Sequence, residues 1–372
     1  MATIDNILNT RKSEGLFRTL KHEITATDFC SNDYLGLARS KAISSSILAQ
    51  VSVLEKKNGA TGSRLLSGNS ELYNALESQI ASFHHAESAL LYPSGYQANV
   101  GLLSCLGTKE DTFILDSLVH ASLIDGARLS KAKRFKFLHN DVADLKKKLC
   151  KSTGNIYVIV EGLYSMDGDI SKLQEISTVC EKANAKLIVD EAHSVGILGE
   201  HGAGLVSKLG LENKVFARIV TYGKAFGSHG AAILGSASLR DWLVNFSRSF
   251  IYSTGLPPFQ LIAIQEIYQA MPQLDEERKK LWNNMDYFRS KQEEHHQWLP
   301  SSSPIQSLIV QGNDQVKKLA ESLQTKGFEV FPILSPTVAV NTERIRFCIH
   351  AYNTEKEIDQ LFEVINTSLN VD

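Results

Sequence analysis

Along the chain, apolar positions recur with two different periods. Residues 70–83, SELYNALESQIASF, space Leu72, Leu76, Ile80 and Phe83 three or four apart, which is the spacing of one helix face. SALLY, TFILD, RFKFL, NIYVIV, KLIVD, RIVTY and AAILG follow as short apolar or alternating runs, with helical stretches between most of them. Such alternation predicts an α/β fold built on a doubly wound, mostly parallel sheet. PPFQLIAIQEIYQAM opens a helix with proline where the missing N–H does no harm, and DEERKKLWNNMDYFRSKQEEHHQ predicts its continuation as a long, solvated helix. After that the pattern resets. SPIQSLIVQG, a helical VKKLAESLQTKG, FEVFPI, RIRFCIH and a helical EIDQLFEVINTSL predict a small α+β domain. The expected organisation is an N-terminal arm or helix (1–40), a large domain (41–274) and a small C-terminal domain (275–372).

The composition, 43% hydrophobic over 372 residues, suits a large enzyme core with a second, smaller unit. With 39 Lys+Arg against 41 Asp+Glu and no basic block, nucleic acid is not an expected partner. No run of about 18 apolar residues predicts a membrane span. The opening MATIDNILNTRKSEGLFRTL lacks the continuous apolar core of a secretion signal, so the expected location is the cytoplasm. Cys30, Cys105, Cys150, Cys180 and Cys348 are odd in number, far apart and without a C-x-x-C pair. They predict neither a disulfide framework nor a zinc site, and no metal is expected.

The segment KLIVDEAHSVGILG (186–199) carries the letters DEAH, which occur in nucleotide-driven motors. A motor also needs a phosphate cradle, G-x-x-x-x-G-K-[S/T]. The only Gly-Lys pair, Gly223-Lys224, has Arg218 at the first glycine position and Ala225 at the hydroxyl position, so the motor reading lacks its essential part. Leu187, Ile188 and Val189 instead suit a buried parallel strand, which puts Asp190 and His193 at its C-terminal end, where open α/β sheets bind ligands. In IVTYGKAFGSHGAA a second strand ends at Thr221, and Lys224 follows among glycines and aromatics. Desolvation there favours a nucleophilic amine suited to Schiff-base chemistry. Ser94, Gly95 and Tyr96 open a helix, a place where free N–H groups bind phosphate. Pyridoxal phosphate (PLP) needs these three features: a lysine for its aldehyde, a carboxylate for its ring nitrogen and an anion site.

Taken singly, each has a plainer reading: His120 a core or helix-capping histidine, Asp190 a helix cap, Ser165 and Thr221 turn residues. Taken together with SNDYLGL, GATGSRLLSGN, YPSGYQANVG, DSLVHASLIDG, HND, EGLYSMDGD, VDEAHSVGILGEHGAG, TYGKAFG, IYSTGLPP and SPIQ, the chain resembles the PLP-dependent α-oxoamine synthases over nearly its whole length. These are fold-type I enzymes that condense an amino acid with an acyl-CoA or acyl-carrier protein. The resemblance implies that Lys224 bonds the cofactor and moves the substrate's α-proton, Asp190 pairs with the ring nitrogen, His193 meets the ring hydroxyl and His120 stacks on the ring. It implies further that Ser165 lies near the cofactor, that Gly95, Tyr96 and Thr221 bind its phosphate, and that Thr254 reaches the phosphate of a second subunit in a homodimer. Arg346 would grip the amino-acid carboxylate, with Arg344 the alternative on the same strand face, Asn32 would lie beside that amino acid, and Arg18 near the acyl chain or on a solvated helix face. Three features depart from the family: a short segment between Arg18 and SNDYLGL, Tyr73 where many members have histidine, and Leu334 where some have arginine.

Overall fold

The structure is a computed structural model that describes residues 3–20, 26–53 and 57–369. The first strand, β1 (Thr27–Asp28), lies apart from the main sheet. That sheet takes β2 (Ser88–Tyr92), β3 (Thr112–Asp116), β4 (Lys133–Phe137), β5 (Ile156–Glu161), β6 (Lys186–Asp190), β7 (Val215–Thr221) and β8 (Ala231–Gly235) in the order β2-β8-β7-β6-β5-β3-β4. All seven apolar runs read from the sequence are therefore strands. They were legible because β3, β5, β6 and β7 are buried on both faces and read as nearly unbroken apolar text.

Alternate residues go to opposite faces. Val158, Val160, Leu187 and Val189 enter one core with the helix Glu71–Phe83, whose Leu76 and Ile80 are fully buried. Tyr157, Ile159 and Ile188 enter the other, with residues of the helix Gly95–Cys105. β8 alone runs antiparallel to its neighbours. Residues 222–230 join β7 to β8 without a helix, and a parallel return needs a crossover of a dozen residues or more. The outer strand β4, KRFKF, keeps Lys133, Arg134 and Lys136 at its free edge, which discourages further strand pairing.

The C-terminal part holds a three-stranded antiparallel sheet, β11-β12-β9, from β9 (Ile305–Ile309), β11 (Pro332–Ile333) and β12 (Arg344–Cys348). β10 (Phe328–Glu329) pairs in parallel with β1, so the arm's residues Thr27 and Asp28 lie against this unit and Phe29 enters its core. We propose the division 1–40, 41–274 and 275–372, with β1 tying the arm to the small unit. Two expectations change in detail. PPFQLIAIQEIYQAM and the charged stretch after it form two helices, Pro258–Ala270 and Asp275–Ser290, separated by a short 3-10 turn. The second helix ends before KQEEHHQ and is not wholly solvated, because Arg278, Leu281, Met285 and Phe288 form a buried stripe along it. Among the described residues no helix is long and apolar enough to cross a membrane.

Candidate active site

Parallel strands end together, and their C-terminal ends supply the chemistry. β5 and β6 pair with Glu161 opposite Asp190, while Thr221 closes β7 beside them. Above these ends lies a cavity of about 200 Å³ lined by Gly95, Tyr96, His120, Ser165, Asp190, His193, Thr221 and Lys224 among others. Eight of the twelve residues expected at a functional site thus share one chamber.

Each wall follows from local structure. Ser94 caps the helix Gly95–Cys105 by accepting from Gln97 N–H at 3.3 Å, so the helix starts at the cavity. A Cβ on Gly95 would come within 2.7 Å of Thr221 Cγ2, so glycine is what lets this helix start abut the end of β7. Lys224 sits in the turn after β7, fixed by Gly227 N–H to Lys224 C=O at 2.7 Å and Ser228 N–H to Tyr222 C=O at 2.7 Å. Gly227 has φ +58°, and a Cβ there would lie 2.2 Å from Ala38 N, so the turn packs directly on the arm. The accessible part of Lys224 faces the cavity. Burial lowers its proton affinity, opposed by the charges of Asp190 and Glu161.

DEAH divides its labour. Asp190 is buried, accepts from Asn99 Nδ2 at 2.7 Å and from Ala192 N–H at 2.9 Å, and faces the cavity. Glu191 turns the other way and is bonded to the buried Arg218, at 2.7 Å from its Nε. His193 Nδ1 meets Tyr34 Oη at 2.8 Å. Burial, then the Lys224 and Arg346 charges, holds the His193 imidazole well below its usual pKa and therefore neutral. His120 does cap a helix, Ala121–Leu129, through Nδ1 accepting from Ser122 N–H at 3.3 Å, and it also lines the cavity.

Asn32 and Arg346 stand just behind this wall. Arg346 donates to Asn32 Oδ1 at 2.9 Å and to the Ser165 carbonyl at 2.6 Å, and Tyr34 links Asn32 (3.2 Å) to His193. Arg344, the alternative, is buried and paired with Asp167. Two residues are not brought to the chamber. Thr254 is exposed, its backbone bridged to Ser63. Arg18 bonds Thr337 Oγ1 at 3.3 Å and lines a separate groove of about 290 Å³ with Phe17, Ile333 and Leu334.

Asn99, Glu161 and Tyr34 escape the sequence reading. Glu161 is buried and accepts from His120 N–H at 2.5 Å; burial and the neighbouring Asp190 charge push its carboxyl up to about 8. It ends an apolar run as Asp190 does, and that signal could have found it. Asn99 is a lone amide inside the apolar stretch of its helix. Tyr34 carried no signal, since its contact with His193 joins residues 159 positions apart.

Comparisons with known proteins identify the family. Residues 24–365 match the family described as aminotransferase class I and II. The 8-amino-7-oxononanoate synthase of Emericella nidulans is 38% identical, the match spanning 93% of this chain and 90% of its own. The structure of the 8-amino-7-oxononanoate synthase from Francisella tularensis superposes with a TM-score of 0.79 at 28% identity, over 93% of this chain and 98% of that one. A structure of SPT (serine palmitoyltransferase) with PLP superposes with a TM-score of 0.88 at 26% identity, over 93% and 87%. Fold, chamber and relatives converge: the chain belongs to the aminotransferase class I and II family, as a PLP-dependent C-acyltransferase of the α-oxoamine synthase kind.

Proposed function

We propose that the protein joins L-alanine to a pimeloyl thioester, on CoA or a carrier protein, and releases CO₂ to give 8-amino-7-oxononanoate, a step of biotin synthesis. The single observation that carries this reading is the 38% identity to the Emericella nidulans synthase over nine-tenths of both chains. A cytoplasmic homodimer is part of the proposal.

The chamber fits PLP. The helix start at Gly95, packed against Thr221, offers N–H groups and a hydroxyl to a phosphate, Asp190 is a fixed carboxylate, and Lys224 is an amine with lowered proton affinity. When bound, PLP supplies an aldehyde for an amine and a cationic ring that takes up the electron pair left at an amino acid's α-carbon. In this reading Gly95, Tyr96 and Thr221 hold the phosphate, with Thr254 of a second copy completing that site. Asp190 holds the ring nitrogen, the neutral His193 the ring hydroxyl and His120 the ring face, with Ser165 beside it. Lys224 Nζ accepts and returns the α-proton. Arg346 and Asn32 hold the alanine carboxylate, which orients the Cα–H bond. A carbon–carbon bond forms between that α-carbon and the thioester carbonyl, the thiol leaves, and the carboxylate departs as CO₂.

The SPT likeness favours a second reading, in which another α-oxoamine synthase activity uses the same residues: serine palmitoyltransferase, 2-amino-3-oxobutyrate CoA ligase or 5-aminolevulinate synthase. The TM-score favours SPT, at 0.88 against 0.79, and identity among the solved structures does not separate the two, since the Sphingomonas wittichii serine palmitoyltransferase and the Francisella tularensis synthase are both 28% identical. Curated relatives named 8-amino-7-oxononanoate synthase, at 37–38% identity, favour the first reading, because side chains rather than backbone course set substrate choice. Leu334, in the groove with Arg18, bears on how an acyl chain's far end is held. Glycine, alanine and serine crossed with acetyl-, succinyl-, pimeloyl- and palmitoyl-CoA, with thiol release followed, should give the highest kcat/KM for alanine with pimeloyl-CoA. A better pair elsewhere in the matrix would end the specific reading while leaving the reaction class standing.

A further inference from the structure

We propose that Glu293, His295 and His296 form a binding site for a divalent transition-metal cation of the zinc, nickel or copper class. The site lies in the turn between the helix Asp275–Ser290 and β9, and none of the three lines the reaction chamber. Each offers one ligand atom, and these atoms lie within 4.8 Å of one another. Imidazole nitrogen with one carboxylate oxygen is the donor set such ions prefer, whereas magnesium and calcium favour oxygen alone.

Two details go beyond proximity. His295 Nδ1 lies 3.3 Å from Glu293 Oε2. That nearly equals the edge of a tetrahedron with metal bonds of about 2.1 Å, roughly 3.4 Å, so an ion can replace the proton between them with little movement. The second detail is Asn366, on the helix Glu355–Leu369. Its Oδ1 lies 3.1 Å from His296 Nε2, and its Nδ2 donates to Glu293 Oε1. With Nε2–H donating, the His296 lone pair resides on Nδ1, and with Oε1 occupied, Glu293 presents Oε2. One amide thus orients two of three ligands, as outer partners do in built metal sites. The nearby Lys291 ammonium is held by Asp359 at 2.6 Å, which limits its repulsion of an incoming cation. Three protein ligands leave a coordination position for water. An ion here would pin the turn to the C-terminal helix.

The test titrates untagged, PLP-loaded enzyme with ZnCl₂ and, separately, NiCl₂ by calorimetry, beside the H295A/H296A double variant and N366A. We expect wild type to bind one equivalent more than the double variant. N366A should keep that equivalent with affinity lowered about tenfold or more. Turnover in metal-free buffer should be equal in all three. Zinc held by thiols such as the exposed Cys150 appears in every protein and cancels in the difference. If the double variant folds poorly, H295N replaces it, with about tenfold weaker binding expected. Equal stoichiometry and affinity in wild type and variants, or no binding tighter than about 0.1 mM, would overturn the site.

Discussion

Glu161 and Asp190 lie opposite one another in the register of β5 and β6, both buried at the floor of the chamber. Two adjacent carboxylates cannot both ionise cheaply, and burial together with the Asp190 charge pushes Glu161 up to about 8. The consequence for stability has a definite sign. The folded pKa lies above the ordinary carboxyl value of about 4.5, so in the cofactor-free protein this group's contribution is full below pH 4.5 and declines as pH rises to about 8. The decline is at most roughly 1.4 kcal/mol per pH unit crossed. Glu161→Gln removes that titration while keeping an acceptor for His120 N–H. Its denaturation midpoint should therefore gain on wild type between pH 5 and pH 8, and midpoints that stay parallel would refute the assignment. At this scale the sequence exposed Asp190, His193 and Lys224, because each follows an apolar run at a strand end. It hid Tyr34 and Asn99, whose roles exist only through contacts made by folding.

Among elements, the C-terminal ends of the strands are held together by side chains as well as by the sheet. His139, just after β4, meets Asp116 of β3 at 2.9 Å and Asp169, in the loop after β5, at 2.8 Å. Burial opposes a charged ring, but the hydrogen bonds and charges of the two aspartates prevail and push its pKa up to about 10. Its stabilisation is complete below about pH 6.5 and lost as pH rises through 10. His139→Gln leaves the fully buried Asp116 facing a neutral amide, and thermal or urea denaturation should show a loss of about 2–3 kcal/mol at pH 7 that narrows toward pH 10. A loss independent of pH would mean packing rather than charge. The inner strands β3, β5, β6 and β7 were readable because burial on two faces writes them as apolar runs. β1 was not, being a two-residue strand with no period to detect, and FEVFPI, read as one stretch, is in fact two, β10 and β11, which pair with different partners. The antiparallel turn of β8 was implicit in the short β7–β8 connection rather than in either strand's composition.

For the molecule as a whole, the fold class was legible from alternation and the reaction class from motifs spread along the chain, whereas the homodimer rested on the family resemblance alone. Thr254 lies on the surface away from its own chamber, as expected if it serves a second copy. Mixing Lys224→Ala with Thr254→Ala chains after dissociation and reassociation tests this. Random pairing makes half the dimers hybrids, each with one intact site, so activity should climb to about a quarter of wild type. Activity that only averages the two variants would exclude a shared site. The central claim, that Lys224 is the residue bonded to PLP, has a more direct test in borohydride reduction of the loaded enzyme followed by proteolysis and peptide mapping. The expected result is a single pyridoxyl label on the peptide carrying Lys224, with the visible absorbance lost on reduction. A label on another lysine, or none after loading with PLP, would contradict it.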